Sequence, residues 1–164
     1  MTLTAFQRTP MLSIVDRLPA LPSDFLCLLV DEGLLESPET TMTTAPDGNQ
    51  SARKGVAGVL GNLVVYPLDR GVPSFVVGRK PACDVCIRDS RVSSRHAQLN
   101  VAPELTYWIA DLASSNGTFV KGRDVSKAKS LIGPGSIFHL ALLPVLLLDA
   151  SLLRQIAETA RTAT

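Results

Sequence analysis

The feature that most constrains the fold is a series of short apolar runs, separated by turn-forming residues, that begins after residue 57. Such a series is typical of an all-β sandwich. We expect strands at 63–66, 74–79, 96–101, 107–111, 118–120, 136–140 and 145–148. In the strand at 96–101 apolar and polar residues alternate, so one set should face a core and the other should face away: Ala97, Leu99 and Val101 against His96, Gln98 and Asn100.

Composition divides the chain into four parts. Residues 1–35 contain a candidate helix that is capped by Ser23 and ends near Gly33, which predicts a partly helical arm that either packs on the main domain or docks a partner. Residues 36–56 are rich in Thr, Ser, Pro and Gly, which predicts a mobile linker. The sandwich is expected at 57–150, followed by an amphipathic helix at 151–164 that Ser151 caps.

Charge and cysteine content exclude several classes of protein. The net charge of +1 combines an acidic segment, 1–50, with a basic remainder, but the basic residues form neither a run nor a helical stripe, so nucleic-acid binding is not expected. The 3 cysteines form an odd, sparse set that predicts reduced thiols in the cytoplasm. The apolar run at 138–148 is about half as long as a membrane-spanning helix, so no membrane segment is expected.

Four motifs follow one another on this β background: Gly78-Arg79, Ser93-Ser94-Arg95-His96, Ser115-Asn116-Gly117 and Lys121-Gly122. In order and spacing they resemble the Gly-Arg, Ser-x-x-His and Asn-Gly motifs of the forkhead-associated (FHA) domain family. The resemblance covers about residues 61–149. It implies an FHA-type β-sandwich of about 11 strands in two sheets, with short N- and C-terminal helices.

The resemblance also implies a function, which is recognition of phosphothreonine in partner proteins by a signalling adaptor downstream of a Ser/Thr protein kinase, without catalysis or a cofactor. A reader of phosphate needs a fixed cation and several hydroxyl or amide donors. By similarity, the phosphopeptide-binding residues are Arg79, Ser93, Ser94, Ser115 and Asn116. Arg79 and Ser93 are expected to bond the phosphate, and Asn116 to hold the peptide backbone.

Further residues have expected supporting roles. Gly78 and Gly117 should serve backbone geometry, and His96 should brace the binding loops rather than contact phosphate. Arg91 lies where some family members read the residue three places after the phosphothreonine. It either selects an acidic residue there or is a solvated surface charge. The segment 137–148 lacks the glycine expected between the last two strands.

Other functions are less consistent with these residues. Ser93 with His96 suggests a hydrolase, but no G-x-S-x-G motif is present. Cys83 and Cys86 have the spacing of half a zinc site, but only Cys27, His96 and His139 remain as partners, and no metal is expected. The remaining alternative is a phosphate-independent scaffold that binds partners through the sandwich edge and the terminal helices.

The linker carries candidate sites of regulatory phosphorylation at Thr40, Thr41 and Thr44. Glu39-Thr40-Thr41 resembles the threonine pair that kinases modify in front of some bacterial FHA domains, and Asp47 follows Thr44 by three positions. A phosphate there would compete with external peptides, because a short tether gives a high effective concentration.

Overall fold

The computed structural model describes residues 7–35, 60–69, 71–102 and 106–162, in which twelve strands form two facing sheets. The larger sheet has seven strands, in the order β1 (Thr9–Pro10), β3 (Leu63–Pro67), β2 (Leu26–Asp31), β12 (Leu143–Asp149), β11 (Ile137–Leu140), β8 (Thr118–Val120) and β9 (Arg123–Asp124). The smaller sheet has five, in the order β10 (Ser130–Ile132), β7 (Thr106–Asp111), β6 (Ala97–Ala102), β4 (Ser74–Gly78) and β5 (Val85–Cys86). This arrangement confirms the predicted all-β sandwich.

All seven predicted strands are present, and their ends lie within about two residues of the predicted ones. The alternation at 96–101 is confirmed for Ala97 and Leu99, which are buried in the core between the sheets. It is wrong for His96, which precedes β6 and is fully buried rather than turned to solvent. The strands that were not predicted are β1, β2, β5, β9 and β10, and all of these except β2 have two or three residues.

The helix predicted to start after Ser23 is wrong, because this segment forms β2. Every residue from Leu26 to Val30 is buried, and the two faces of the strand enter different clusters. Leu28 packs in the core between the sheets, whereas Cys27 and Leu29 pack on the outer face of the larger sheet. A strand that is buried on both faces has a continuous apolar sequence, which periodicity cannot distinguish from a buried helix.

Because β2 belongs to the larger sheet, the sandwich begins earlier in the chain than predicted. β2 pairs with β3 on one side and with β12 on the other, so the sandwich begins before residue 57. The predicted linker, 36–56, therefore belongs to the connection between two paired strands of one sheet. The predicted linker lies outside the described residues, as do its three candidate phosphorylation sites, Thr40, Thr41 and Thr44.

The terminal segments cover the outer face of the larger sheet. An α-helical turn (Met11–Ile14), a 3₁₀ helix (Val15–Ala20) and the C-terminal helix (Ala150–Thr162) share one apolar cluster with the outward side chains of β2. Arg154 Nη1 donates to the Leu18 carbonyl oxygen at 3.2 Å, which links the two terminal segments. Asp149, rather than Ser151, caps the C-terminal helix by accepting from the Leu152 amide at 2.9 Å. The arm thus packs on the domain.

None of the helices in the described part of the chain is long and apolar enough to cross a membrane.

Substitution of Leu28 by Ala should destabilise the protein by about 2–5 kcal/mol, because a fully buried core leucine leaves a cavity when it is truncated. Urea unfolding would measure the change in the free energy of unfolding. Leu12→Ala is the matched control, since Leu12 is 40% exposed in the N-terminal α-helical turn. Equal, small effects of the two substitutions would contradict the placement of β2 in the core.

Candidate functional site

Three connections lie together at one end of the sandwich and are joined by hydrogen bonds. They are residues 79–84 after β4, residues 87–96 before β6, and residues 112–117 between β7 and β8. The Arg79 amide donates to the Ser93 carbonyl oxygen at 2.9 Å, and the Lys80 amide donates to that of Ser94 at 3.3 Å. The Ser115 amide donates to Ser93 Oγ at 3.0 Å. Ser93 therefore connects the first loop to the third.

Gly78 permits the close approach of the first two loops. A Cβ atom at this position would lie 2.3 Å from the Ser94 carbonyl oxygen and 2.9 Å from the Arg95 Cα. Both atoms belong to the backbone, so no side-chain rotation could relieve the clash. Gly117 has a different requirement, since its φ of 89° lies in the left-handed region that favours glycine.

Arg79 presents a fixed cation at the site. Its Nε donates to the Val92 carbonyl oxygen at 2.9 Å, which sets the orientation of the guanidinium group. Within the described part of the chain the two terminal guanidinium nitrogens have no hydrogen-bond partner. Ser93 and Ser94 are half-buried near this group, and Ser115 is exposed. The terminal nitrogens of Arg79 are thus available to an anion.

The buried side chain of His96 links the second and third loops. Its Nδ1 accepts from the Ser93 amide at 2.9 Å, so Nδ1 carries no proton and Nε2 must carry one. Nε2 then donates to the Gly117 carbonyl oxygen at 2.8 Å. Burial lowers the pKa of His96, although the bond to Gly117 and the charge of Asp111 oppose this shift. A neutral imidazole is therefore bonded to both loops.

The third loop has an internal brace that the sequence analysis did not assign. Asp111 Oδ1 accepts from Ser114 Oγ at 2.5 Å and from Thr118 Oγ1 at 2.7 Å. The Ser114 hydroxyl in turn accepts from the Gly117 amide at 2.9 Å. Burial would raise the pKa of Asp111, but the hydrogen bonds from Ser114 and Thr118 outweigh it and lower the pKa. The Asp-x-x-Ser spacing, typical of a side chain that closes a turn, was the available signal.

Arg91 is held by protein groups. Its Nη2 lies 2.7 Å from Asp89 Oδ2, its Nε donates to Asp89 Oδ1 at 3.0 Å, and Asp89 is fully buried. Nη2 also donates to the Leu34 carbonyl oxygen at 2.9 Å. Asn116 Nδ2 donates to the Arg91 carbonyl oxygen at 2.9 Å, which places the exposed Asn116 beside this segment. The ion pair favours a structural role for the Arg91 guanidinium.

Two cysteines support the first loop. Cys83 Sγ donates to the Ser94 carbonyl oxygen at 3.0 Å, and Cys86 Sγ donates to that of Arg79 at 3.4 Å. Burial raises the pKa of the Cys83 thiol. Within the described ranges no three His, Cys, Asp or Glu side chains are grouped as metal ligands would be. The geometry of both cysteines is that of free thiols that bond to backbone carbonyls.

Hydrogen bonds between the three loops bring together four of the five predicted phosphopeptide-binding residues. These are Arg79, Ser93, Ser94 and Ser115. Asn116 adjoins them as the residue after Ser115. The amide of Ser115 is already used by Ser93 Oγ, so its exposed hydroxyl is the donor that remains for a ligand. A site of one cation and several hydroxyl groups can bind a phosphate group.

Comparison with known proteins relates this architecture to a family. Residues 75–141 match the family model described as the FHA domain. The FHA domain of the CT664 protein from Chlamydia trachomatis has 22% identity and a TM-score of 0.52, with 77% of this chain and 98% of that one covered. A domain studied for phosphothreonine-dependent FHA interactions has 19% identity and a TM-score of 0.50, with coverage of 76% and 95%.

A third similar structure is the FHA domain of a hypothetical protein from Arabidopsis thaliana, with 19% identity and a TM-score of 0.50. That match covers 77% of this chain and 86% of the other. Among curated proteins, none matches the sequence.

The environment of His96 predicts a loss of stability in mild acid. Its pKa in the folded protein is lowered, whereas a histidine in the unfolded chain has a pKa of about 6.5, so the unfolded state binds more protons as the pH falls. The contribution of His96 to the free energy of unfolding should be fully present above about pH 6.5. At lower pH the free energy of unfolding should decrease, by at most about 1.4 kcal/mol per pH unit. Urea unfolding at pH 5.5–7.5 would measure this dependence, which a His96→Gln variant should lack.

His139→Gln is the matched control for this experiment and should retain the full dependence on pH. A wild-type free energy of unfolding that stays constant from about pH 6.5 to 5.5 would contradict the assignment of a neutral His96. Unfolding is the suitable measurement because a phosphate ligand itself titrates near pH 6.

Proposed function

Because this chain contains an FHA domain at residues 75–141, we propose that it binds protein segments that contain phosphothreonine, through the site at the end of the sandwich. Arg79 and Ser93 bond the phosphate group, with Ser94 and the Ser115 hydroxyl as further donors. Asn116 holds the backbone of the bound segment. The chain acts as a signalling adaptor, and a Ser/Thr protein kinase supplies its phosphorylated partners.

The observation that carries this proposal is the fixed and available guanidinium group of Arg79. Its Nε donates to the Val92 carbonyl oxygen and its backbone amide to that of Ser93, so the cation is held beside the segment that carries Ser93. A phosphothreonine presents between one and two negative charges and three acceptor oxygens, which match a cation surrounded by hydroxyl donors. The loops are held before any ligand arrives, which reduces the entropic cost of binding.

The energy available from this site is sufficient for specific recognition. A hydrogen bond to a charged group contributes about 1.5–3 kcal/mol, and a micromolar complex requires about 8 kcal/mol. Two or three bonds from Arg79 and its neighbouring serines would therefore supply a large share of the binding energy. The remainder would come from contacts along the peptide backbone, for which Asn116 is the exposed candidate.

The alternative of a phosphate-independent scaffold receives less support. It would bind partners through the sandwich edge and the terminal helices, but three apolar side chains of the C-terminal helix are packed against the larger sheet: Leu153, Ala157 and Ala160. The catalytic alternative is also weak. His96 uses Nδ1 for the Ser93 amide and Nε2 for the Gly117 carbonyl oxygen, so neither ring nitrogen is placed to activate a serine hydroxyl. Binding without catalysis fits the site.

Substitution of Arg79 by Ala should weaken the binding of phosphothreonine peptides by about 10-fold to 150-fold, since at least one charge-assisted hydrogen bond is lost. Fluorescence anisotropy with a degenerate phosphothreonine peptide pool would measure the affinity, with the unphosphorylated pool alongside. The matched control is Arg123→Ala, because Arg123 is exposed on β9 and lies outside the three loops. Its affinity should equal that of the wild type.

Thermal unfolding of the Arg79→Ala variant should accompany the titration, because Arg79 Nε also bonds the Val92 carbonyl oxygen. Equal binding of phosphorylated and unphosphorylated pools by folded wild-type protein would overturn the proposed function. It would favour the scaffold instead.

A further inference from the structure

The terminal segments cover only part of the outer face of the larger sheet. Their apolar cluster includes side chains of β2, β3 and β12 but, within the described residues, none of β11, β8 or β9. Ile137 and His139 alternate along β11 with the buried Phe138 and Leu140, so they lie on the outer face. Phe119 of β8 pairs with His139 and shares this face. The outer side chains of β11 and β8 are therefore left uncovered by the terminal helices.

An open groove of about 710 Å³ lies beside these strands. Its lining includes Lys121, Leu131, Pro134, Ile137 and His139, and we name this surface the β11 groove. Leu131 is 57% exposed and Ile137 is 45% exposed. The described part of the chain has five exposed large apolar side chains, and these two line the same groove. The β11 groove therefore concentrates apolar surface that the fold itself does not bury.

A second cavity, of about 430 Å³, extends the apolar surface onto the C-terminal helix. It shares Gly135 with the β11 groove and is lined by Leu152 and Ile156, which are only partly buried. Each volume falls within the range of about 300–1,000 Å³ that is typical of binding pockets. The two cavities thus form one continuous concave surface.

The β11 groove lies away from the three loops of the candidate site. The Ala141 amide, directly after β11, donates to the Gly117 carbonyl oxygen at 2.9 Å, so β11 ends at the candidate site. Ile137 is the first residue of β11 and lies at its other end. Similarly, β8 starts directly after Gly117 and leads away to Lys121. The two surfaces share no residue, so one ligand would not exclude the other.

The charge beside the β11 groove is positive. The segment that begins in the groove and follows β8 has four exposed cations and one carboxylate: Lys121, Arg123, Lys127 and Lys129 against Asp124. Within the described ranges, Lys121, Arg123 and Lys127 form no ion pair. None of the residues that line the two cavities is acidic. Such a surface is complementary in charge to an acidic ligand.

Lys121 occupies a turn position that favours another residue. Val120 pairs with Arg123, so Lys121 and Gly122 form a two-residue turn, with φ values of 52° and 79°. Turns with two positive φ values favour Asn-Gly, because Asn tolerates the left-handed region better than Lys does. Residues that break a local rule are commonly functional. Here the exception places an ammonium group at the β11 groove.

We propose that the β11 groove binds a segment of a second partner protein that combines aliphatic side chains with at least one carboxylate. The aliphatic side chains cover Leu131 and Ile137, which removes apolar surface from water. The carboxylate pairs with Lys121, which gives the contact its charge specificity. No phosphate takes part. Together with the proposed function, this second surface lets the chain join two partners, one of them held through phosphothreonine.

The test uses the full chain and three pools of short, unphosphorylated, fluorescent peptides. The first pool combines Leu with Glu, the second Leu with Lys, and the third Ser with Glu. Fluorescence anisotropy should show that the first pool binds at least about 10-fold more tightly than the others, because only its members match both the apolar walls and the cations. Added salt should weaken this binding, since exposed charges are screened.

Two substitutions in the groove should weaken binding of the first pool without unfolding the protein. Ile137→Ser should reduce the affinity about 10-fold, as truncation of an apolar contact residue does. Lys121→Asn should reduce both the affinity and its dependence on salt. The Lys121→Asn variant should unfold at or above the wild-type temperature, because Asn favours the turn. Ile137→Ser should unfold near that temperature, since Ile137 is exposed.

Leu142→Ser and Arg88→Asn are the matched controls, because both side chains are exposed and lie outside the groove. Both variants should bind the first pool as the wild type does. Equal or absent binding of all three pools would overturn this inference, as would a preference for the first pool that survives Ile137→Ser and Lys121→Asn. Binding to phosphatidylserine vesicles but to no peptide pool would instead indicate a membrane contact.

A failure of this inference is distinguishable from a failure of the proposed function. Ile137→Ser should bind the degenerate phosphothreonine pool with wild-type affinity, because Ile137 lies outside the three loops. The pools of unphosphorylated peptides test only the β11 groove, whereas the effect of Arg79→Ala on the phosphothreonine pool tests only the loops.

Discussion

The candidate site depends on one buried, uncharged imidazole. His96 accepts a hydrogen bond from the Ser93 amide and donates one to the Gly117 carbonyl oxygen. These two contacts hold the second and third loops at a fixed separation, and the bond between Ser93 Oγ and the Ser115 amide forms above them. A second proton on the ring would place two N–H groups against each other at Ser93. The geometry of the candidate site is thus coupled to the protonation state of a buried side chain.

A second dependence runs through the larger sheet. β2 lies between β3 and β12, and its two faces join the two apolar clusters of the protein. The core between the sheets and the outer layer of terminal helices therefore both include side chains of β2. The same strand leads into the 3₁₀ helix (Glu32–Leu34), whose Leu34 carbonyl oxygen is bonded by Arg91. A segment that resembles an accessory arm in the sequence is thus part of both the core and the edge of the proposed binding surface.

Arg79 and Arg91 differ in their hydrogen-bond partners. Arg79 has one guanidinium nitrogen fixed by a backbone carbonyl and presents its terminal nitrogens at the site, whereas Arg91 is paired with a buried carboxylate. Two arginines close in sequence therefore differ: Arg79 keeps its terminal nitrogens available, whereas Arg91 is paired with a buried carboxylate of the fold.

The sequence alone determined the fold class and the loops that form the site. Alternating apolar residues in short runs predicted the strands, as Ala97 and Leu99 illustrate, and the ordered motifs from Gly78 to Gly117 predicted which connections come together. Local periodicity and motif spacing are properties of short segments, so the sequence alone reveals them. Only the tertiary structure decided the rest. β2 is buried on both faces, so its sequence has no alternation of apolar and polar residues to detect. The burial of His96 depends on contacts between segments that are distant in the chain. The pairing of Arg91 with Asp89 and the exposure of Leu142 depend on the paths of the loop and the turn that carry them.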